Sequence, residues 1–192
     1  MSKAFPLLAM LAASTVLIAP TAFADFIVES RLGGQNYGKY SEAGGWGNSS
    51  GKSTVPDVTA GIGSRYGSTY RSVAGEKHAY FKADLAVAGI YEVFATWGAN
   101  ANRKSNISHI ITHKSGTTEV LVDQSATANT WVSLGQFEFN AGTDVGSVDV
   151  NNTKIDASGS MYADAVKWVL VPDPATLALL GTGALLLRRR RL

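Results

Sequence analysis

The chain has no cysteine among its 192 residues. That absence excludes disulfides, thiolate metal sites and cysteine nucleophiles, so stability must come from burial and hydrogen bonding. Between Asp25 and Val171 no segment of ten or more residues carries a 3.6-residue apolar repeat, which argues against helical bundles and parallel α/β folds. Basic charge is also scarcer than the formal net charge of +2 suggests. Setting aside Lys3, Asp173 and Arg188, Arg189, Arg190 and Arg191 leaves 12 basic and 14 acidic residues, a balance near −2. Such a body gives no support to nucleic-acid binding.

What is present begins at the two ends. Met1-Ser2-Lys3, the apolar run Leu7 to Ile18 and the small-x-small site Ala22-Phe23-Ala24 predict a signal peptide over residues 1–24, cleaved before Asp25. Residues 172–192 have three parts: Pro172-Asp173-Pro174, an apolar run of 13 residues from Ala175, and four arginines. A helix of that run rises only about 20 Å, short of the roughly 20 residues a stable span prefers, and the arginines belong on the cytoplasmic side. The stretch resembles the PEP-CTERM sorting signal of exopolysaccharide-producing Gram-negative bacteria, with Asp173 where Glu is usual. The resemblance implies passage through the secretion machinery, a transient inner-membrane intermediate with a short transmembrane segment, and removal of the tail by an exosortase. The destination is then the cell surface or the extracellular matrix.

Residues 25–171 suit one domain. Phe26–Ser30 reads as a strand, and residues 33–63 read as a long Gly-rich surface loop carrying Tyr37, Tyr40 and Trp46. His78 to Leu85 alternates, with Ala79, Phe81, Ala83 and Leu85 on one face. Further short strands are expected around Gly89–Trp97, Asn106–Lys114, Thr117–Asp123, Trp131–Phe139, Ser147–Val150 and Met161–Val171. Gly135 suggests a bulge; if alternation holds through it, Trp131, Phe137 and Phe139 share a face. About eight or nine strands predict an all-β, antiparallel, jelly-roll-like sandwich between the signal peptide and the hydrophobic sorting helix.

Gly47-Asn48-Ser49-Ser50-Gly51 spells a nucleophile elbow, but that device needs a strand before the serine and a helix after it. His109 and His113 have the spacing of helical zinc proteases, yet four residues along a strand span about 13 Å, too far to share an ion. Asp144, Asp149, Asp156 and Asp164 lack calcium-loop spacing. No cofactor is expected, and a structural calcium ion assembled from separate loops stays open. Glu29, Glu92, Glu119 and Glu138 fall at strand positions that read as solvent-facing, which argues against a glycosidase pair.

Trp46 with its neighbouring serines, Tyr66-Gly67-Ser68-Thr69-Tyr70, Ala88-Gly89-Ile90-Tyr91-Glu92-Val93, His113-Lys114-Ser115-Gly116, Val122-Asp123-Gln124, Trp131 to Phe137 and Ala163-Asp164-Ala165-Val166-Lys167 together resemble the golvesin-like domain found in xanthan lyases. The resemblance implies a carbohydrate-binding-module-like sandwich without catalytic machinery of its own. Sugar recognition needs exposed flat rings and planar polar groups. Trp46, Tyr66, Tyr70 with Arg71, and Trp97 lie at loop or strand-end positions that suit it. The expected function is non-catalytic binding of extracellular polysaccharide. The alternatives are a structural or adhesive matrix protein, and a small surface hydrolase.

Overall fold

The computed structural model describes residues 25–172. Ala22, Ala24, Asp173, Pro174 and Arg188 to Arg191 lie outside the described residues, as do the expected signal peptide and sorting helix. Among the described residues no helix is long and apolar enough to cross a membrane. In chain order the strands are β1 (Phe26–Glu29), β2 (Tyr40–Ala43), β3 (Gly47–Ser49), β4 (Ser64–Tyr70), β5 (His78–Leu85), β6 (Gly89–Thr96), β7 (Ile107–His113), β8 (Gly116–Val122), β9 (Val132–Phe139), β10 (Gly142–Asn151), β11 (Asp156–Ala163) and β12 (Ala165–Leu170). One α-helical turn, α1 (Arg71–Ala74), follows β4.

The strands form three antiparallel sheets, ordered β1-β12-β6-β9, β2-β5-β10-β7-β8 and β11-β4-β3. The first strand lies beside the last, with Phe26 opposite Trp168. The two larger sheets form a sandwich, and their period-2 alternation builds its interior. Ala79, Phe81, Ala83 and Leu85 of β5 are buried as expected, facing a core that includes Val93 of β6, Ile107 and Ile111 of β7, and Trp168 of β12. His109 is buried on the same face of β7; its Nδ1 donates to the Ile107 carbonyl at 3.1 Å. Burial pushes its pKa down to about 4, so it sits in the core uncharged.

Three expectations change. Residues 33–63 are not one long loop: a 3₁₀ turn over Tyr37–Lys39, β2 and β3 all lie within them. Met161 to Val171 is not one strand, because the chain breaks at Asp164 and passes from the β11-β4-β3 sheet to the β1-β12-β6-β9 sheet. The third concerns β9. Gly135 does form a bulge, with φ of 118° and a register shift opposite Val93 and Phe94. A bulge adds a residue and reverses which face follows. Leu134 and Phe139, five apart, both enter the core, while Trp131 packs on Ile27, Val55 and Val58 in a separate small cluster. There Lys167 Nζ stands 4.5 Å from the Trp131 ring centroid and 2.8 Å from Asp57.

Candidate functional site

The segment between β1 and β4 is short of apolar side chains, and two buried carboxylates hold it against the sandwich. Glu29, expected to face solvent, is only 2% exposed. The cause is its neighbours: Glu29 Oε1 accepts from Thr59 N (3.0 Å), Thr59 Oγ1 (2.8 Å), Gln35 N (3.2 Å) and Gln35 Nε2 (3.3 Å). Asp164, at the break between β11 and β12, accepts from the Ser53 backbone N–H. Burial pushes the Asp164 carboxyl up to about 7, against the opposing effect of the Ser53 bond; the nearby Glu29 raises it further. The turn between β2 and β3 is fixed by backbone proximity. Gly44 has φ of 84°, and a Cβ there would stand 2.0 Å from the Glu76 carbonyl oxygen, so only glycine fits.

This frame leaves a cleft of about 370 Å³ at the rim of the sandwich, between the β1–β2 connection and strands β2, β3 and β4. Its aromatic wall is Tyr37 and Tyr40, stacked with ring centroids 6.3 Å apart and planes at 29°. Its floor is a bonded network. Arg65 Nε donates to Glu42 Oε2 at 2.8 Å, a second N–H reaches Glu42 Oε1, Nη1 donates to Asn48 Oδ1, and Nη2 donates to the Trp46 carbonyl at 2.8 Å. Tyr40 also donates its hydroxyl to Glu42 Oε2 at 2.9 Å. Burial pushes the Tyr40 phenol far up, so it remains protonated. Burial would raise Glu42 as well, but the bonds from Arg65 and Tyr40 outweigh it and hold the carboxylate below its usual range. Leu32, 79% exposed, forms an apolar lip, and Arg31 reaches in from the same connection. Aromatic rings beside fixed planar donors and acceptors can hold a polyhydroxylated ring, its apolar C–H face against the aromatic wall and its hydroxyls against the polar floor.

Successive side chains of a strand point to opposite faces. Arg65 therefore serves the cleft, while Tyr66, Ser68 and Tyr70 lie on the other face of β4. Tyr66 and Tyr70 are both about 40% exposed, roughly 13 Å apart along the strand. The Tyr66 ring covers Gly47, where a Cβ would meet it at 2.4 Å. Arg71 begins α1 and pairs with Glu76 at 3.5 Å.

The structure thus brings Tyr66 and Tyr70 to one surface with Arg71 beside them. It does not place the two tryptophans there. Trp97 is 1% exposed, its Nε1 bonded to the carbonyls of Gln124 and Thr127. Trp46 is 8% exposed, its Nε1 bonded to the carbonyls of Ala43 and His78. Both rings are spent on the core. Sequence reasoning missed the cleft polar residues Arg31, Glu42, Asn48 and Arg65. The signal was the alternation in Tyr40-Ser41-Glu42, masked by the glycines around it.

Ser49 does not sit on an elbow: β3 runs into a loop, and Ser49 Oγ accepts from Gly51 N at 3.0 Å. Glu119 and Glu138 are exposed on separate strands, paired with Lys154 and Lys114. Among the described residues no group of three or more His, Asp or Glu is placed to hold a metal ion.

The family model for the golvesin C-terminal domain matches residues 34–170. A xanthan lyase of Bacillus sp. (strain GL1) is 39% identical over 112 residues, 56% of this chain and 12% of the lyase. The structure of a Paenibacillus xanthan lyase superposes with a TM-score of 0.62 at 29% identity, covering 77% of this chain and 13% of that one. A family 35 carbohydrate binding module from Clostridium thermocellum gives a TM-score of 0.43 at 12% identity, covering 78% of this chain and all of the module. The chain thus spans only a small part of the lyases it matches. On the match across 34–170 and the shared antiparallel fold, the chain belongs to the golvesin C-terminal domain family.

Proposed function

We propose that this protein is an exported, non-catalytic module that binds extracellular polysaccharide. The observation that carries the reading is the rim cleft, where stacked Tyr37 and Tyr40 stand over the locked Arg65–Glu42–Asn48 floor. Tyr66 and Tyr70, with Arg71 beside them, supply a second, flatter surface for the same polymer. The likeness to a stretch of xanthan lyases supports a role alongside polysaccharide rather than in cleaving it, since the chain corresponds to 12–13% of those enzymes. The leader over 1–24 and the Pro172-Asp173-Pro174 tail support export, a passing inner-membrane stage, exosortase processing and release to the surface or matrix.

The test is affinity electrophoresis of residues 25–172 in gels containing xanthan, a β-1,4-glucan or a mannan. Retardation by at least one polymer, reduced by Tyr37→Ala and by Tyr66→Ala, is the expected result. Unretarded migration in every gel would sink the reading. Export is checked separately by the intact mass of the protein recovered from its host. A species starting near Asp25 and ending near Pro172 supports sorting, and a full-length species in the membrane fraction refutes it.

A further inference from the structure

The cleft holds two cations and one anion, and they are not equally committed. Arg65 directs N–H groups to Glu42, Asn48 and the Trp46 carbonyl, so its charge is neutralised and its donors are spent. Arg31 gives a single N–H to the Ser64 carbonyl at 3.2 Å. Among the described residues it is in no ion pair. Arg31 lines a cleft whose only lining carboxylate, Glu42, is already engaged by Arg65 and Tyr40. The next compartment along β2, about 160 Å³ beyond Tyr40 and Ser41, differs in this respect. Its Lys39 and Lys82 both reach Asp144, and Lys39 also reaches Asp84 at 2.8 Å. The uncompensated positive charge is therefore local to Arg31, beside the stacked tyrosines and the exposed Leu32.

A guanidinium fork with free donors is matched by a carboxylate, which accepts two parallel N–H bonds. We infer that the rim cleft selects a carboxylate-bearing sugar unit such as a uronate, whose anion Arg31 receives while its ring lies against Tyr37 and Tyr40. This rests on the polysaccharide reading and narrows it to acidic polymers. A neutral sugar leaves Arg31 unpaired, and an acidic one brought to Glu42 instead would meet like charge.

The experiment uses titration calorimetry of native residues 25–172 with a glucuronate-containing tetrasaccharide and with the same tetrasaccharide after reduction of its carboxyl to a hydroxymethyl group. The acidic form is expected to bind about tenfold more tightly or better, with an advantage that shrinks as salt is raised. Arg31→Lys and Arg31→Gln, checked for native circular dichroism, should lower the ratio of affinity for the acidic form over affinity for the reduced form, with Arg31→Gln bringing it close to one. Since the main comparison changes the ligand, it does not depend on any variant folding. Equal binding of both forms overturns the inference and leaves glycan binding standing. A preference untouched by Arg31→Gln but lost on Tyr66→Ala overturns it by placing the acidic sugar on the other face of β4. Absence of binding to either form, together with unretarded migration in all the gels, removes both readings.

Discussion

The sandwich interior and the rim that carries the cleft are built on different principles. Inside, Phe81, Phe139, Ile107, Ile111 and Trp168 are fully buried and held by area removed from water, with the uncharged His109 among them. At the rim the contacts are hydrogen bonds that gather otherwise unpatterned segments: Thr59 and Gln35 on Glu29, Ser53 on Asp164, and Lys77 on the carbonyls of Gly44 and Gly45. A core of the first kind tolerates the loss of one contact by partial collapse. A rim of the second kind loses its geometry when one acceptor goes, because several donors converge on it.

The contrast can be broken or sharpened by substitution. Trp168→Ala should cost the most, about 3–5 kcal/mol in urea unfolding, with all of the protein affected together. If it costs less than Glu29→Ala, the interior is not the dominant source of stability. The pH dependence of Asp164 comes next. Its carboxyl is raised in the folded protein to about 7 from the ordinary 3.8, so the folded state holds an extra proton between those values. The stability contributed is fully present below about pH 3.8 and is lost as pH rises towards 7, a swing of up to about 4 kcal/mol. Asp164→Asn should lack that contribution, so the stability difference between wild type and variant should itself change across this pH range, and a flat difference would show that the rim carboxylate is not the source.

Glu29→Ala leaves the Thr59 and Gln35 donors without their acceptor and should cost about 2–3 kcal/mol. Its signature is local: hydrogen exchange should accelerate across residues 33–60 while β5 and β7 keep their protection. Uniform acceleration would instead merge rim and interior into one unit. Arg65→Ala should cost about 1 kcal/mol, since the Glu42 pair is only partly buried, yet it should abolish cleft-dependent glycan binding. Smallest in stability is Tyr66→Ala, within about 0.5 kcal/mol, measurable only as lost affinity.

How much of this was legible in sequence follows the same division. The interior announces itself through alternation, as in Ala79-Tyr80-Phe81-Lys82-Ala83, because burial acts residue by residue along a strand. Alternation misled at β9, where the positive φ of Gly135 shifts the register and sends Trp131 to the far side of the sheet. Trp46 and Trp97 looked like surface platforms because glycines flank them, yet those glycines let the backbone approach while the rings turn inward. Glu29 looked solvent-facing by parity. Its partners, Thr59 and Gln35, come from a segment without periodic pattern, so nothing in the local sequence records that they meet. The cleft is legible only in part for the same reason: Tyr37 and Tyr40 stand out as aromatics, but Arg31, Asn48 and Arg65 acquire their roles from three different strands and connections.

The pairing of β1 with β12 places Phe26 beside Trp168, so the two ends of the domain leave side by side from neighbouring antiparallel strands. Tension applied between those two ends would load the β1–β12 hydrogen bonds one after another, like a zip drawn from its open end, and the ladder would yield at low force. Held by one end alone, with the pull arriving through a bound polymer at the rim, the domain bears the load elsewhere and that seam is spared. Whether one end or both are held therefore decides whether a load opens the domain at this seam.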